Sequence, residues 1–289
     1  MISNIAGCVI LYNPDVNLVK NNIITYLHKI QKLYIIDNSE NKNNELFFKD
    51  FKNIVYVSNE QNEGLSVKLN YACKRAISEG YDYLLTMDQD SCFLEENINQ
   101  YLTDIENFNL KDEVAMYGLQ FNLEHKKLEK IDISFIIKDY LITSGSIICL
   151  NKYKNIGGFD ENLFIDGVDI DYCFNAISKG FKIIEFQNNF FKHSLGEVVN
   201  RASILSFFLV KKRRVIHSFI RIYYMQRNLL YLEKKYKNIF PLFIDKIRAE
   251  YLGHLTRSTK YSSNYFKAIY YKRLGIKDFK NNKMGKFSH

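Results

Sequence analysis

The first ninety residues repeat one pattern: a short apolar run, a polar stop, then apolar residues at helical spacing. Gly7-Cys-Val-Ile-Leu-Tyr12 stops at Asn13-Pro14-Asp15, after which Val16, Val19, Ile23 and Leu27 fall on one helical face. Lys32-Leu-Tyr-Ile-Ile-Asp37 and Asn53-Ile-Val-Tyr-Val-Ser58 follow. Leu65, Leu69, Ala72 and Ala76 then mark a second helix ahead of Tyr83-Leu-Leu-Thr-Met87. Runs that are apolar at consecutive positions suit strands covered on both faces, and their alternation with helices points to an α/β unit with a parallel sheet. In such a sheet the C-terminal strand ends open on one rim, where ligands bind. Tyr12, Asn13, Asp37 and Asp88 stand on that rim.

The last run ends in Asp88-Gln89-Asp90-Ser91. Side chains two apart on an extended chain point the same way, so both carboxylates face one point. Oxygen ligands of this kind suit a hard cation, Mg²⁺ or Mn²⁺. His193 follows the strand Lys182–Phe186 and becomes a candidate third ligand beside such a pair. The plainer reading is a polar loop after a strand, with a structural histidine elsewhere.

Three further stretches carry chemistry. Asn62-Glu-Gly64 opens the second helix; a glycine there lets backbone amides receive a phosphate, although an ordinary loop reads the same way. Thr143-Ser144-Gly145-Ser146 runs into an apolar strand, and its hydroxyls offer donors and acceptors where Gly145 admits a close approach. Five acids fall between Asp160 and Asp171, and from Asp169 the pattern turns helical. Asp166 and Asp169 therefore sit at a helix start, as caps or, facing a cleft, as a general base. Glu124–Lys130 reads as a surface hairpin.

Charge divides the chain. Residues 198–289 hold 21 Lys and Arg against 4 Asp and Glu, while residues 1–197 hold 19 against 28. This implies an acidic domain over residues 1–200 and a basic, aromatic, helical region over 201–289 that meets something anionic. Peripheral attachment to an anionic bilayer fits that region. Stacking on single-stranded nucleic acid is the rival, and no zinc, RNP or helix-turn-helix pattern supports it. The five cysteines form no Cys-x-x-Cys and suit a reduced, cytoplasmic protein. The N-terminus lacks the basic start of a signal peptide, and no apolar run spans a bilayer. The expected location is the inner face of the plasma membrane.

Taken in order, Leu11-Tyr12-Asn13-Pro14, Ile36-Asp37-Asn38, Asn62-x-Gly64-Leu65 with Asn70, Asp88-Gln89-Asp90-Ser91, Thr143-Ser144-Gly145, Gly158-Phe159-Asp160-Glu161, Phe164-Ile165-Asp166-x-Val168-Asp169, His193-Ser194-Leu195-Gly196-Glu197 and Tyr223-Tyr224-x-x-Arg227-Asn228 resemble the family 2 glycosyltransferases of the GT-A fold, and most closely their rhamnosyltransferase-like bacterial branch. The resemblance spans about residues 5–235 and implies an α/β fold, a Rossmann-like mostly parallel sheet flanked by helices. It implies that Tyr12 and Asn13 line the nucleotide pocket, that Asp37 reads the pyrimidine edge, and that Asn62, Gly64, Asn70 and Gln89 shape the donor site. It implies further that Asp88 contacts the ribose or the metal, that Asp90 binds Mg²⁺ or Mn²⁺ on the diphosphate with His193 as a further ligand, and that Arg227 neutralises the diphosphate. Asp169 matches the second acid of the family's Glu-Asp pair and is the implied base. Thr143, Ser144, Gly145 and Asp166 are placed toward the acceptor. Here Val168 stands for the first acid of the pair, Gly167 for an aromatic residue and Asn175 for an arginine, which leaves Asp166 and Asp171 beside Asp169 as candidate bases.

The implied reaction is an inverting sugar transfer to a hydroxyl of a glycan or lipid-linked oligosaccharide in cell-surface polysaccharide biosynthesis. The expected donor is dTDP-L-rhamnose, with UDP-galactofuranose, UDP-galactose or UDP-glucose as alternatives. A nucleotidyltransferase would need a Gly-rich phosphate loop after the first strand, which Tyr12-Asn13-Pro14-Asp15 does not offer. A non-catalytic basic protein that binds nucleic acid or membrane is the reading of a different class, and a homodimer is left open.

Overall fold

A computed structural model of the chain describes residues 4–41, 43–94, 97–122, 133–192, 197–202 and 211–288. In chain order the elements are β1 (Ile5–Leu11), α1 (Val16–Leu27), β2 (Lys32–Asp37), β3 (Ile54–Ser58), α2 (Leu65–Ser78), β4 (Tyr83–Asp88), β5 (Cys92–Phe93), α3 (Asn97–Asn107), β6 (Val114–Asn122), β7 (Phe135–Ile137), β8 (Ser146–Cys149), α4 (Leu150–Ile156), α5 (Val168–Ser178), β9 (Lys182–Lys192), β10 (Glu197–Ala202), β11 (Lys211–Ile216), α6 (Phe219–Tyr236), α7 (Pro241–Tyr261) and α8 (Tyr265–Lys280). The Glu124–Lys130 hairpin expected from the sequence lies outside the described residues.

These elements form two compact units: Met1–Glu161 with Val168–Ser194, and Asn162–Gly167 with Leu195–His289. The first unit is built on a nine-stranded sheet in the order β3-β2-β1-β4-β8-β6-β9-β5, with β7 paired to β9. It is parallel from β3 to β4 and mixed beyond, because β8 returns antiparallel to β4 after the Thr143–Gly145 turn. β6 and β9 are parallel to each other. Nearly every residue of β1, β2 and β4, and all of β8, are buried, which is why these strands read as unbroken apolar runs rather than alternating ones. Asp15 caps α1 by accepting from the amides of Asn17 and Leu18, and Val19, Ile23, Tyr26 and Leu27 form its buried face.

Strand order positions the site. The chain moves outward from β1 to β2 and β3, then returns through α2 to lay β4 on the other side of β1. Loops leaving β1 and β4 therefore diverge, and the crevice between their C-terminal ends is where such sheets take ligands. Register sets what lies there: Leu11 pairs with Asp37 and Ile10 with Asp88, so the two acids flank the end of β1.

The second unit is more than helices. β10 and β11 form an antiparallel ribbon that the charge pattern conceals. α6 is its longest buried element, with Ile222, Tyr223, Tyr224, Met225, Gln226, Arg227, Asn228 and Leu229 all shielded. Phe164, from the short excursion Asn162–Gly167, stacks on Tyr224 at 5.3 Å. α8 lies against α6 through Gly275: a Cβ there would stand 2.7 Å from the Tyr223 carbonyl oxygen and 3.2 Å from the Arg227 nitrogen.

Gly275 and Gly253 make a matched test of this packing. Alanine is favoured over glycine inside a helix by about 1 kcal/mol. At Gly253, where nothing lies within 4 Å, Gly253→Ala is expected to raise the urea midpoint accordingly. At Gly275 the obstacle is backbone, so Gly275→Ala is expected to cost about 1–3 kcal/mol net. A rise in stability on Gly275→Ala would contradict the close α6–α8 approach.

Candidate active site

The first unit assembles most of the residues singled out in the sequence around the ends of β1, β2 and β4. Gln89 joins two of these ends. Its Oε1 accepts from the Tyr12 amide at 2.9 Å, its Nε2 donates to the Tyr12 carbonyl at 3.3 Å, and its own carbonyl accepts from Asn22 Nδ2 at 3.0 Å. Asp88 and Asp90 thus stand on either side of a residue tied to β1, and both are half-buried. Tyr12 is 49% exposed, a large ring left open at the rim. Asn13 adopts a left-handed backbone (φ 46°), and its amide donates to Ser39 Oγ at 2.8 Å.

The Thr143-Ser144-Gly145 turn supports β4 from the other side. The sequence offers its hydroxyls to an acceptor; the structure engages that of Ser144 inside the protein. Ser144 Oγ accepts from the Asp88 amide at 3.0 Å and donates to Ser91 Oγ at 2.9 Å, and the Ser91 amide closes back on the Asp88 carbonyl at 3.1 Å. Thr86 Oγ1 donates to the Thr143 carbonyl, and the Gly145 amide donates to the Thr86 carbonyl at 2.9 Å. Gly145 has φ 72°, and a Cβ there would stand 2.5 Å from the Phe191 ring. Thr143 and Ser144 are buried, so this turn positions Asp88 rather than presenting a surface.

Asp37 is fully buried and its carboxylate is met by three donors. The Ser39 amide donates to Oδ1 at 2.9 Å, and Asn44 Nδ2 and the Tyr56 hydroxyl each donate to Oδ2 at 2.7 Å. The Asp37 bond and burial push the Tyr56 hydroxyl well above its ordinary range, burial being the larger cause. Asn44 and Tyr56 were not foreseen. Tyr56 had a signal: Ser58 pairs with Asp37, and a side chain two residues earlier points to the same face. Asn44, in an irregular segment, had none.

The Asn62–Gly64 loop is tied to this corner. Asn38 Nδ2 donates to Asn62 Oδ1 at 2.9 Å, the Glu63 amide donates to Asn38 Oδ1 at 2.8 Å, and the Gly64 amide donates to Asn62 Oδ1 at 3.2 Å. Gly64 (φ 93°) precedes α2. Lys68, one turn into α2, donates to Glu63 and holds that carboxyl below its usual range. Asn70, expected to shape the donor pocket, is used as a brace within the first unit. Its Oδ1 accepts from the Tyr153 hydroxyl and the Phe159 amide, and its Nδ2 donates to the Phe159 carbonyl and Glu161 Oε1.

Asp169 and Asp171 lie in the first turn of α5. Asp171 is 1% exposed. Asp169 is half-buried, and its Oδ1 accepts from the Ile170 amide at 3.0 Å. Asp166 belongs to the second unit and is pinned there. Its backbone is left-handed (φ 67°), its carboxylate receives Arg221 through both Nε and Nη2, and Asn228 Nδ2 donates to the Ile165 and Asp166 carbonyls. Arg227, also in the second unit, is fully buried, its guanidinium about 5 Å from the Tyr223 and Tyr224 ring centres. Its Nη1 donates to the Tyr223 hydroxyl at 3.1 Å and its Nε to Asn228 Oδ1 at 3.1 Å, while Nη2 has no hydrogen-bond partner among the described residues. His193 lies outside the described residues.

The donor set fits a hard cation that is held in part by its ligand. Two carboxylates one residue apart are what Mg²⁺ takes from protein when substrate phosphates supply other oxygens. No group of three His, Cys, Asp or Glu side chains able to hold a metal occurs among the described residues, so these residues do not make an all-protein cage.

Residues 16–133 match the family model Glycosyl transferase family 2. The chain is 26% identical over 259 residues to the dTDP-rhamnosyl transferase RfbF of Shigella flexneri, covering 84% of each protein. Among solved structures it resembles residues 1–349 of S. aureus TarS in complex with UDP-GlcNAc, with a TM-score of 0.61 at 14% identity over 96% of this chain and 80% of that one. It also resembles GalNAc-T7 crystallised with UDP, GalNAc and Mn²⁺, with a TM-score of 0.55 at 12% identity over 66% of this chain, which spans 44% of that protein. The sequence and family matches support a glycosyltransferase; the structural likenesses show the same fold.

Ser144 supplies the test of the corner. Ser144→Ala removes the Oγ that accepts from the part-buried Asp88 amide and is expected to cost about 1 kcal/mol in a urea melt. A variant as stable as the parent would contradict the bracing role.

Proposed function

We propose that this chain, a family 2 glycosyltransferase, moves L-rhamnose from dTDP-rhamnose to a hydroxyl of a glycan or lipid-linked oligosaccharide, with inversion, in the assembly of a cell-surface polysaccharide. The observation that carries the donor is the likeness to a dTDP-rhamnosyl transferase along 84% of both chains. In this reading Tyr12, Asn13 and the Asn62–Gly64 loop receive the nucleotide, with Tyr12 offering its exposed ring. Asp37 sets the shape of that pocket through its own three donors rather than by a free carboxylate.

Asp90, with Asp88, would hold Mg²⁺ or Mn²⁺, and His193 would add a ligand; the ion would offset charge growing on the leaving diphosphate. Gln89 and Ser144 keep those two carboxylates at the end of β4. Arg227 is assigned to the diphosphate by the family resemblance; its Nη2 is buried without a hydrogen-bond partner among the described residues.

The base is Asp169. Asp171 is buried, and Asp166 is held by Arg221 and by the Asn228 contacts to its loop. Asp169 is the candidate that is partly exposed in the first turn of α5, at the position that matches the second acid of the family's pair. It would take the proton of the acceptor hydroxyl as that oxygen attacks the anomeric carbon, and the bond to the diphosphate breaks on the far side. Asp166 then serves the acceptor side by anchoring its loop. A lipid-linked acceptor would bring the enzyme to a bilayer, and among the described residues no helix is long and apolar enough to cross one.

A thermal-shift panel of nucleotide sugars with Mn²⁺ tests the donor. Saturating dTDP-rhamnose is expected to raise the melting temperature by about 5 °C. A larger shift with UDP-galactofuranose, UDP-galactose or UDP-glucose would overturn the donor, and no shift with any sugar nucleotide would overturn the reading. Asp169→Asn is expected to keep the shift while losing transfer by about 10²–10⁴-fold; full transfer by that variant would refute the base.

A further inference from the structure

α8 has two unlike faces. Ala268, Leu274, Gly275 and Asp278 are buried. Gly275 rests on the Tyr223 carbonyl, and Asp278 accepts from the Tyr223 hydroxyl at 2.8 Å. These contacts fix the helix against rotation within its unit, so the opposite stripe is set outward. That stripe is Phe266, Tyr270, Arg273, Lys277 and Lys280, all exposed and spaced alternately four and three residues apart. Phe266 is 82% exposed and Tyr270 59%, and Tyr265 (53%) packs edge-on to Phe266 at 5.8 Å. One line along the helix therefore runs from aromatic rings to three cations.

A single exposed aromatic needs no explanation; three at one end of a helix, continuous with a cationic stripe, do. The charge is also one-sided. From Ser262 onward the chain carries seven Lys and Arg and one acid, Asp278, which is the buried one. A protein partner would need an acidic face with a pocket for rings. Nucleic acid would want rings interleaved with the cations rather than gathered at one end. A bilayer asks for what is present: aromatic side chains that favour the headgroup boundary and cations that meet anionic headgroups. At 1.5 Å per residue, α8 is about 24 Å long, enough to lie flat and engage several lipids.

We infer that α8 is a membrane-docking helix lying in the headgroup layer of an anionic bilayer, with Tyr265, Phe266 and Tyr270 at the acyl boundary and Arg273, Lys277 and Lys280 on lipid phosphates. Its purpose rests on the proposed lipid-linked acceptor; its test does not, since no sugar donor is involved.

The test is co-sedimentation of the full chain with vesicles of phosphatidylcholine alone and with added phosphatidylglycerol, at low and high salt. Binding is expected to the anionic vesicles and to fall with salt. The triple variant Arg273→Gln, Lys277→Gln, Lys280→Gln is expected to bind about a hundredfold more weakly. The double variant Phe266→Ser, Tyr270→Ser is expected to weaken binding at least tenfold while keeping the parent's circular dichroism and melting temperature. Equal binding to neutral and anionic vesicles, or unchanged binding by both variants, would overturn the inference. So would absence of vesicle binding together with a dimer that the Phe266 and Tyr270 changes dissolve.

Discussion

The candidate site depends on how β4 ends beside β1. A strand buried on both faces has its backbone bonds satisfied by its neighbours until it leaves the sheet, and there the freed groups need new partners. Here they find them in side chains. Gln89 takes both backbone groups of Tyr12, Ser144 takes the amide of Asp88, and Ser91 closes the turn. Two carboxylates would repel each other on a loose loop. Here the turn that carries them is tied to β1 on one side and to the Thr143–Gly145 segment on the other. Preorganisation of this kind lets a site stabilise developing charge without rearranging as the charge appears.

The same economy of polar groups runs through the rest of the first unit. Asp37 is buried with three donors, and Asn70 uses its whole amide to tie α2 to the Tyr153–Glu161 segment. In the second unit, Asp166 is matched by Arg221, and Arg227 by Tyr223, Tyr224 and Asn228. A residue that sequence reasoning assigns to a ligand because it is polar and sits on a rim is in several cases a strut beneath the ligand's surface.

The strands, the helices and the rim were legible because their physics is local. Consecutive apolar residues mark doubly covered strands, and Val19, Ile23 and Leu27 mark the covered face of α1. The Asp88-Gln89-Asp90 turn could be placed at a strand end for the same reason. The antiparallel return of β8 was not legible, because strand direction is set by tertiary pairing. Nor was the β10–β11 ribbon, whose basic residues resemble a solvated segment. The excursion of residues 162–167 into the second unit was hidden too, since chain order gives no sign that Asp166 belongs with Arg221 while Asp169 belongs with the sheet. Ser144 and Gln89 stand out in the sequence only as polar residues, and their use as backbone partners is a matter of distances that only the fold supplies.

The central claim is a single displacement assisted by a carboxylate in the first turn of α5. Its most direct test is the configuration of the product's anomeric centre, followed by proton NMR from the first turnover with a defined donor and an oligosaccharide acceptor. The account predicts a product of configuration opposite to that of the donor from the outset. A product that retains the donor's configuration would contradict it, because retention requires either a second displacement or attack from the leaving-group side.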